Sequence, residues 1–467
     1  MSHTNLPNQP NTPEDTIVAL ATPMGTGALG IIRLSGPGAI TIVNSVFKGK
    51  NLTKQASHTI HFGSVEDGGV VLDEVLASVF VAPRSYTREN VVEVSCHGSA
   101  YIIESIIKLF IRQGARSAKP GEFTLRAFVN GQLDLSQAEA VADLIASNSK
   151  ASQQVAMQQL RGGYSNQLQQ LRDQLVTFAS LIELELDFSE EDVEFANRVQ
   201  LKQLIININK MIGQLIQSFE LGNAIKHGIN TVIAGRPNAG KSTLLNALLN
   251  EDRAIVSPIA GTTRDTIEEV LNINGLNFRL IDTAGLREAT DAIEAIGVQK
   301  TLEKISQSAL LLYVFDGDVL TAVDVTQDVE SLIHQGIPVI AVANKTDLLQ
   351  SGSLPADFTL PAAVKLLTVS AREKHYIDEL KQAIYNTAVQ GHINNNEALV
   401  TNVRHLEALK KTEEALTRVL AGIDNPITSD FLALDIKQAL HYLGEITGAV
   451  TTEDLLDNIF SKFCIGK

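Results

Sequence analysis

The stretch Gly235-Arg-Pro-Asn-Ala-Gly-Lys-Ser242 decides the fold of the middle of this chain. It follows the apolar run Ile229 to Ala234, and Ser242-Thr-Leu-Leu-Asn-Ala-Leu-Leu249 opens a helix after it. A glycine-rich loop between a strand and a helix turns backbone N–H groups toward phosphate oxygens. The stretch therefore predicts a nucleotide-binding α/β domain, while by itself it leaves ATP and GTP both open.

Three further motifs follow in the order of a guanine-nucleotide site: Gly261-Thr-Thr-Arg-Asp265, Asp282-Thr-Ala-Gly285 and Asn344-Lys-Thr-Asp347. The last motif decides the base. The carboxylate of Asp347 can accept the N1–H and the exocyclic amine of guanine together, and adenine cannot donate this pair of bonds. All four motifs at correct spacing predict a protein that binds and hydrolyses GTP.

Short apolar runs end at these motifs, as strands of a doubly wound sheet do. The runs cover residues 278–281, 310–315, 339–343 and 366–369. Asn274-Gly275 between two such runs is a strong two-residue hairpin signal, so one strand pair of this sheet should be antiparallel.

Composition and charge agree with a protein of several domains. The chain has 467 residues, of which 44% are apolar, and this length predicts about three domains. Its net charge of −15, from 38 basic and 53 acidic residues, gives no global basic field for RNA, so any RNA contact should be local or shared with a partner. Two cysteines, no signal-peptide pattern and no apolar run of about 20 residues predict a cytoplasmic protein without a membrane span.

Helical periodicity flanks the nucleotide motifs on both sides, beginning near Ser136 and returning near Glu397. The expected fold class is α/β plus all-α, with a P-loop GTPase domain inserted in a helical bundle and preceded by a mixed α/β domain. The expected regions are a disordered tail at 1–14, the N-terminal α/β domain at 15–130, a first helical segment at 131–226, the GTPase domain at 227–388 and a second helical segment at 389–467.

Roles in the nucleotide site follow from phosphoryl-transfer chemistry, in which the protein positions groups and neutralises charge. Lys241 should bridge β- and γ-phosphate oxygens as a catalytic residue, Ser242 and Thr263 should ligate Mg²⁺, and Asp282 should hold the water shell of the metal. The expected GTP-binding residues are Asn238, Ala239, Gly240, Lys241, Ser242, Thr243, Ser257, Pro258, Ile259, Ala260, Gly261, Thr262, Thr263, Asp282, Thr283, Ala284, Gly285, Asn344, Lys345, Asp347, Ser370 and Ala371.

The position after Asp282-Thr-Ala-Gly285 is unusual. Many small GTPases have a water-orienting Gln there, whereas this chain has Leu286, which can neither accept nor donate a hydrogen bond. Either hydrolysis is slow until a partner lends an Arg, or another group positions the water and supplies positive charge.

Five stretches spread over the chain carry a family resemblance. They are Asp15-Thr-Ile-Val-Ala-Leu-Ala-Thr-Pro23, Gly30-Ile-Ile-Arg-Leu-Ser-Gly36, Lys119-Pro-Gly-Glu-Phe-Thr-Leu-Arg-Ala-Phe-Val-Asn-Gly-Gln-Leu-Asp-Leu135, Asp282-Thr-Ala-Gly-Leu-Arg-Glu288 and Phe463-Cys-Ile-Gly-Lys467. Together they resemble the tRNA-modification GTPase MnmE (TrmE) family over essentially the whole chain. The resemblance implies a homodimer that joins an MnmG (GidA)-type flavoprotein in a heterotetramer. This assembly adds an aminomethyl or carboxymethylaminomethyl group at C5 of the wobble uridine, position 34, of tRNA, and FAD enters only through the partner.

The resemblance also implies that K⁺ takes the place of an arginine finger, so that Leu286 is expected. The positions that would hold the ion are Asn238, Ser257, Ile259 and Thr262. Glu294 is the implied catalytic acidic residue, which orients the attacking water through a second water. From the residues alone, Asn238 is equally well explained as a polar turn residue beside Pro237.

In that family the N-terminal domain resembles the folate-binding fold of aminomethyltransferases, dimerises, and binds 5-formyltetrahydrofolate or a related folate at the dimer interface. The positions that carry over are Arg33, Glu93, Gln132 and Lys467. Arg33 is suited to a folate carboxylate, and Glu93 to the pterin donors. Gln132 departs from the Lys common there and lacks its charge, so lower folate affinity is expected. An ordinary surface pair is the alternative for Arg33 and Glu93.

Cys464 follows a helix expected to begin near Thr451 with a capping-box pattern. The nearby Lys462 and Lys467 favour a thiolate, and the resemblance implies that the thiol takes part in the modification chemistry. A buried, unreactive cysteine is the alternative.

Two other functions are compatible with portions of the chain. Ribosome-assembly GTPases of the Era or EngA type share the phosphate and switch motifs, but they lack this N-terminal domain and the Cys464-Ile-Gly-Lys467 end. A folate-binding aminomethyltransferase with a regulatory GTPase is disfavoured, because the sequence shows no second catalytic constellation. Ammonium and glycine both remain open as the donor.

Overall fold

The computed structural model describes residues 15–187, 197–249, 268–282, 308–332, 337–349, 354–389, 399–424 and 429–466. The expected disordered tail at 1–14 lies outside these ranges. The chain forms two compact units. Unit 1 comprises the chain up to Ala142, Gln159–Ile206 and the chain from Lys411 onward, and unit 2 comprises Asp143–Gln158 and Asn207–Lys410. Among the described helices, none combines the length and the apolar character needed to cross a membrane.

Helices occur in both units. They are α1 (Ala39–Val46), α2 (Ala100–Arg112), α3 (Glu122–Val129), α4 (Leu135–Ala146), α5 (Lys150–Leu160), α6 (Ser165–Asp187), α7 (Arg198–His227), α8 (Lys241–Leu249), α9 (Ala322–Leu332), α10 (Ile377–Val389), α11 (Val403–Asp424), α12 (Ser429–Thr447) and α13 (Glu453–Phe460).

Unit 1 contains a seven-stranded sheet. Its strands are β1 (Ile17–Leu20), β2 (Leu29–Ser35), β3 (Phe47–Gly49), β4 (Thr59–Asp67), β5 (Val70–Phe80), β6 (Val91–His97) and β7 (Arg116–Ser117). They lie in the order β3-β4-β5-β6-β2-β1-β7, and every neighbouring pair is antiparallel except β1 with β7. Buried side chains of the strands pack with Val43 of α1 and Ile106 of α2 in one core. The N-terminal mixed α/β architecture is confirmed.

The helices of unit 1 bury a stripe that the sequence predicts. Leu168, Leu175 and Ile182 of α6 are almost fully buried, as the spacing of apolar residues requires. Helix α6 packs against α12, although the nucleotide motifs lie between the two in sequence. Helices from both sides of those motifs therefore share one bundle, in agreement with an inserted nucleotide domain.

Unit 2 contains a six-stranded sheet. Its strands are β8 (Ile229–Ala234), β9 (Glu268–Ile273), β10 (Leu276–Asp282), β11 (Leu310–Asp316), β12 (Val339–Asn344) and β13 (Val364–Thr368). The order is β13-β12-β11-β8-β10-β9, and the pairs are parallel except for β9 with β10. Asn274 (φ 50°) and Gly275 (φ 86°) form the tight turn between them, since both central residues of such a turn need positive φ. The predicted doubly wound sheet and its antiparallel pair are confirmed.

Unit 2 includes three described stretches that helical periodicity assigns to the helical segments, namely residues 207–226, 399–410 and 143–158. The last of these, residues 143–158, lies next to the β9–β10 turn. Two polar contacts hold them beside the β9–β10 turn: Asn277 Nδ2 donates to Asn148 Oδ1 at 2.8 Å, and the N–H of Ala151 donates to the carbonyl of Gly275 at 3.1 Å. Ala151 also packs against the apolar core of unit 2. These contacts join residues more than a hundred positions apart, so helical periodicity gave no sign of them.

The start of α13 corrects one expectation. The helix begins at Glu453, and its N-cap is Thr452, whose hydroxyl accepts from the N–H of Leu455 at 3.2 Å. The expected capping box starting at Thr451 is wrong, because the third helical residue is Leu455, which has no carboxylate to return the bond.

Candidate functional site

The loop from Gly235 to Ser242 joins the carboxyl end of β8 to the first turn of α8. At Gly235 (φ 151°) an added Cβ would lie 1.9 Å from the carbonyl oxygen of Val314, and at Gly240 (φ 88°) it would lie 2.3 Å from Asn344 Nδ2. Positive φ and these close approaches both require glycine. The loop is therefore held close against β11 and β12, with its last residues at the N-terminus of a helix.

Lys241 provides a positive charge at this helix N-terminus. Its side chain is buried, and Nζ donates to the carbonyl oxygens of Gly235 at 3.0 Å and Arg236 at 3.1 Å. Ser242 and Thr243 are exposed in the same helical turn. An ammonium group and a helix N-terminus both favour an anion, so this end of the loop is suited to phosphate oxygens.

Asn238 is exposed and has a left-handed backbone, with φ 64°. Asn adopts this conformation more readily than most residues, which agrees with the alternative of a turn residue beside Pro237. Its proposed role as a K⁺ ligand stays a prediction.

Asn344 connects the phosphate loop to the segment at Ser370 and Ala371. It is 2% exposed, its Nδ2 donates to the carbonyl of Ala239 at 3.0 Å, and its Oδ1 accepts from the N–H of Ala371 at 3.0 Å. Loss of this side chain would leave two buried backbone groups unpaired, which costs about 1–3 kcal/mol each. Asn344 therefore ties together segments from two separate motifs.

Asp347 lies beside the same segment. It is exposed, and its Oδ1 accepts from the hydroxyl of the buried Ser370 at 2.6 Å. The backbone N–H of Glu373 donates to the same hydroxyl oxygen at 3.2 Å. Ser370 thus orients the carboxylate through one oxygen.

Asp316 is a site residue that the four motifs did not indicate. Its Oδ2 lies 2.8 Å from Nζ of Lys345, a residue whose backbone is left-handed (φ 62°). Asp316 ends β11, a wholly apolar run up to that point, and a polar residue at the carboxyl end of a parallel strand is the signal that could have identified it.

Several predicted residues lie outside the described ranges. They are Ser257, Pro258, Ile259, Ala260, Gly261, Thr262, Thr263, Thr283, Ala284, Gly285, Leu286, Glu294 and Lys467. Asp282 ends β10 beside the phosphate loop strand β8. Within the described ranges, the site thus gathers the phosphate loop, Asn344, Asp347 and Ser370 at the carboxyl edge of one sheet.

Arg33 and Glu93 in unit 1 are cross-strand neighbours on β2 and β6, and Nε of Arg33 donates to Oε1 of Glu93 at 2.8 Å. The guanidinium also lies 5.8 Å from the ring centroid of Tyr86 and 5.7 Å from that of Phe123. Its Nη1 donates to the carbonyl of Gly466 at 3.4 Å. The pair is half-buried between aromatic rings and the C-terminal tail, so it is more enclosed than an ordinary surface pair.

Gln132 is exposed, and its Oε1 accepts from Nε of Arg88 at 2.9 Å. Arg88 also donates to the carbonyl of Asn130 at 3.1 Å. A Lys at position 132 would place a second cation against Arg88, whereas the neutral amide accepts from it.

Cys464 is exposed, so the alternative of a buried thiol is wrong. Its carbonyl accepts from the N–H of Gly121 at 3.4 Å. Gly466 (φ 94°) stands two residues further along, and an added Cβ there would lie 2.1 Å from the carbonyl oxygen of Leu20. The tail therefore lies against the end of β1. Cys96 is buried, and this burial raises its pKa to about 11.

Comparisons with known proteins cover nearly the whole chain. The family model described as GTP-binding protein TrmE N-terminus matches residues 16–132, and the one described as MnmE helical domain matches 135–464. Proteins named tRNA modification GTPase MnmE match over 97% of this chain: that of Cytophaga hutchinsonii is 55% identical over 98% of its own length, that of Flavobacterium johnsoniae 52% over 99%, and that of Bacteroides thetaiotaomicron 47% over 100%.

Among solved structures, the FeoB G-domain from Methanococcus jannaschii is 24% identical and covers 34% of this chain and 97% of its own, with a TM-score of 0.26. That score is too low to bear on the assignment. The sequence matches, in contrast, extend from the first strand of unit 1 to the C-terminal tail. This chain belongs to the tRNA modification GTPase MnmE family.

Proposed function

We propose that this chain hydrolyses GTP and, with an MnmG-type flavoprotein, installs an aminomethyl or carboxymethylaminomethyl group at C5 of the wobble uridine in tRNA. One observation carries the proposal. The phosphate loop and the segment at Ser370 and Ala371, the base-recognition segment, meet at one sheet edge in a chain that is 55% identical to a tRNA modification GTPase over nearly its full length. The Era or EngA alternative receives no support, because the matched families include both the N-terminal and the helical regions.

The domain boundaries are proposed as the sequence predicts them, with an N-terminal domain at 15–130, helical segments at 131–226 and 389–467, and the GTPase domain at 227–388. Residues 143–158 of the first helical segment pack within unit 2 beside the nucleotide-binding sheet. The match to an N-terminal family model over 16–132 supports the first boundary. The packing of α6 against α12 supports one bundle made from the two helical segments.

In the nucleotide site, Lys241 and the loop N–H groups would bind the phosphates. Ser242, exposed in the first turn of α8, and Thr263 offer hydroxyl oxygens of the kind that Mg²⁺ accepts as ligands. Bound Mg²⁺ neutralises charge that develops on the transferred phosphoryl group. Lys241 would add its charge at the same place, since two loop carbonyls hold its ammonium group near the N-terminus of α8.

Guanine recognition falls to Asp347, with Ser370, Ala371 and Lys345 around it. Ser370 donates to Oδ1 of Asp347, and the rest of this exposed carboxylate can accept from the base. Asp316 holds Lys345 beside this segment. Asn344 fixes the phosphate loop and the base-recognition segment relative to each other through its two hydrogen bonds.

A potassium ion is proposed to supply the charge that an arginine finger gives in other GTPases. Asn238, Ser257, Ile259 and Thr262 would hold it, and Glu294 would orient the attacking water. The exposed side chain of Asn238 supports this proposal. Asn238 lies in the turn of the phosphate loop with a left-handed backbone, and its amide oxygen is accessible to an ion.

Arg33, Glu93, Gln132 and Lys467 are proposed to bind the folate. The half-buried guanidinium of Arg33 carries the charge that would pair with a folate carboxylate, and it lies over the rings of Tyr86 and Phe123, which hold it in place. A bound folate supplies the one-carbon unit. The exposed thiol of Cys464 lies in the tail whose Gly466 carbonyl contacts Arg33, which supports a role in the modification step.

A second copy of this chain is proposed to cover one face of the unit 1 sheet. In cross-strand register, Phe62 pairs with Leu76, and the adjacent row runs from Ile60 through Ser78 to Glu93 and Arg33. Ile60 and Phe62 are each 66% exposed, and Leu76 is 45% exposed. This apolar face is continuous with the Arg33–Glu93 pair, so a homodimer through it would cover the apolar residues and enclose the proposed folate site together.

Phe62→Asp should therefore convert the dimer to a monomer, because a carboxylate would be buried in an apolar interface without a partner. Light scattering after size-exclusion chromatography measures the mass of wild type and variant. Val199→Asp on α7 is the matched control, since Val199 is also an exposed apolar residue, at 79%, outside this face. A dimeric Phe62→Asp protein would contradict the proposed face.

Cys464→Ser should leave GTP turnover close to the wild-type rate and abolish wobble-uridine modification. The substitution keeps size and hydrogen bonding but removes the readily formed thiolate, and a thiol has no role in phosphoryl transfer. Phosphate release by purified protein and mass spectrometry of tRNA nucleosides from cells carrying the variant measure the two activities. Ser461→Ala, at another exposed position in the same tail, should retain both. Normal modification by Cys464→Ser would show that the thiol is not needed.

A further inference from the structure

Three polar side chains with no assigned role in nucleotide binding join the phosphate loop to the rest of unit 2. Arg236, the second residue of the loop, donates from Nε to Oδ2 of Asp328 at 2.7 Å and from Nη2 to Oδ1 at 3.1 Å. Asp328 belongs to α9. Two parallel bonds from one guanidinium to one carboxylate fix both groups more firmly than a single ion pair does.

Tyr313 holds the same carboxylate from the sheet side. It is 1% exposed on β11, and its hydroxyl donates to Oδ2 of Asp328. In register, Tyr313 lies opposite Ala234, the last residue of β8 before the loop. Burial acts to raise the pKa of Asp328, but the bonds from Arg236 and Tyr313 outweigh it and the pKa is lowered. The carboxylate is therefore ionised and anchored to the sheet at neutral pH.

The backbone of Arg236 extends this connection to the phosphate-binding lysine. Its carbonyl oxygen accepts from Nζ of Lys241 at 3.1 Å, next to the equivalent bond from the carbonyl of Gly235 at 3.0 Å. Because the guanidinium and this carbonyl belong to one residue, the anchor at Asp328 restrains the backbone that holds the ammonium group. Misplacement of a catalytic group by about 1 Å can cost on the order of 10²-fold in rate.

We propose that Asp328 and Tyr313 are positioning residues for GTP hydrolysis, which hold Arg236 so that its carbonyl aligns Lys241 before the nucleotide binds. This inference rests on the proposed GTPase function. In this arrangement Asp328 binds the Arg236 guanidinium, so Arg236 does not act as an arginine finger within its own loop.

The test compares Asp328→Asn, Tyr313→Phe and Arg236→Lys with wild type. Asp328→Asn should lower kcat/KM for GTP by about 10- to 100-fold, and Tyr313→Phe should have a smaller effect because Arg236 keeps both of its bonds. In a double-mutant cycle, Arg236→Lys should add little to Asp328→Asn, since both remove the same interaction. Steady-state phosphate release gives kcat and KM, and thermal unfolding gives the stability of each variant.

Asp435→Asn is the matched control, because Asp435 also accepts a bond from an arginine, Arg418, at 2.7 Å, but between α11 and α12 in unit 1. It should leave kcat/KM unchanged. A lowered unfolding temperature with wild-type kcat/KM in Asp328→Asn would overturn the positioning role, and so would fully additive effects in the cycle. Absence of GTP hydrolysis by wild-type protein would instead overturn the proposed function itself.

Discussion

Asp347→Asn should change the base preference of this chain from guanine to xanthine. The carboxylate accepts from two guanine donors, and an amide in its place presents one acceptor and one donor. Because Ser370 donates its hydroxyl proton to Oδ1 at 2.6 Å, the amide oxygen would keep that bond and the new N–H would point toward the base. Xanthine has a C2 oxygen that accepts this N–H, whereas guanine has a donor there.

The loss of kcat/KM for GTP should be large, on the order of 10⁴-fold, since a site built for hydrogen bonds rejects a base that leaves them unpaired. Steady-state hydrolysis of GTP and XTP by wild type and variant measures the ratio. Asp357→Asn, at an exposed position away from the base-recognition segment, should keep the wild-type preference. Retained preference for GTP in Asp347→Asn would contradict the assigned guanine contact.

GTP turnover should be faster in K⁺ than in Na⁺ by about 10- to 100-fold at equal ionic strength. The ion is proposed to take the place of an arginine finger, which is worth roughly 10³–10⁵ in kcat, and Na⁺ would supply the same charge in a poorer position and so recover part of that effect. The smaller Na⁺ fits an oxygen cage built for K⁺ poorly. Asn238→Ala should erase the difference by removing one oxygen ligand. Arg236 cannot substitute for the ion, since Asp328 engages its guanidinium through two bonds.

Phosphate release by purified protein in KCl and in NaCl measures this dependence. Asn246→Ala, a change of the same kind at an exposed position of α8, should keep the preference for K⁺. Equal rates of the wild-type protein in the two salts would contradict the potassium mechanism.

Most of the sheet of unit 2 could be predicted because β8, β10 and β12 are short, mainly apolar runs that end at a motif, and β11 is an apolar run of similar length. All residues of β12 and all but the last of β11 are buried, which is typical of parallel strands covered on both faces. The hairpin was predicted for a different reason, since Asn274 and Gly275 both tolerate positive φ. In both cases the residues that cause the structure lie next to one another in the sequence.

Contacts between distant residues could not be predicted in this way. Asp328 lies ninety-two positions from Arg236, and charged residues on a helix surface such as α9 are common whether or not they have a partner. The placement of residues 143–158 in unit 2 depends likewise on the hydrogen bond between Asn277 and Asn148, which are far apart in sequence. The N-cap of α13 was also placed one residue too early, although its cause is local. Thr451 and Thr452 are adjacent and equally good N-cap residues, so the sequence does not decide between them.

The most direct test of the central claim is mass spectrometry of wobble-uridine nucleosides in tRNA from three strains. One strain lacks this chain, the second carries it again as wild type, and the third carries Lys241→Ala. Lys241 is the buried ammonium group of the phosphate loop, so the variant should bind and hydrolyse GTP poorly. The C5-modified uridine should be present only in the strain with the wild-type chain. Normal modification in the strain without the chain would contradict the proposed function, and normal modification with Lys241→Ala would contradict its dependence on GTP hydrolysis.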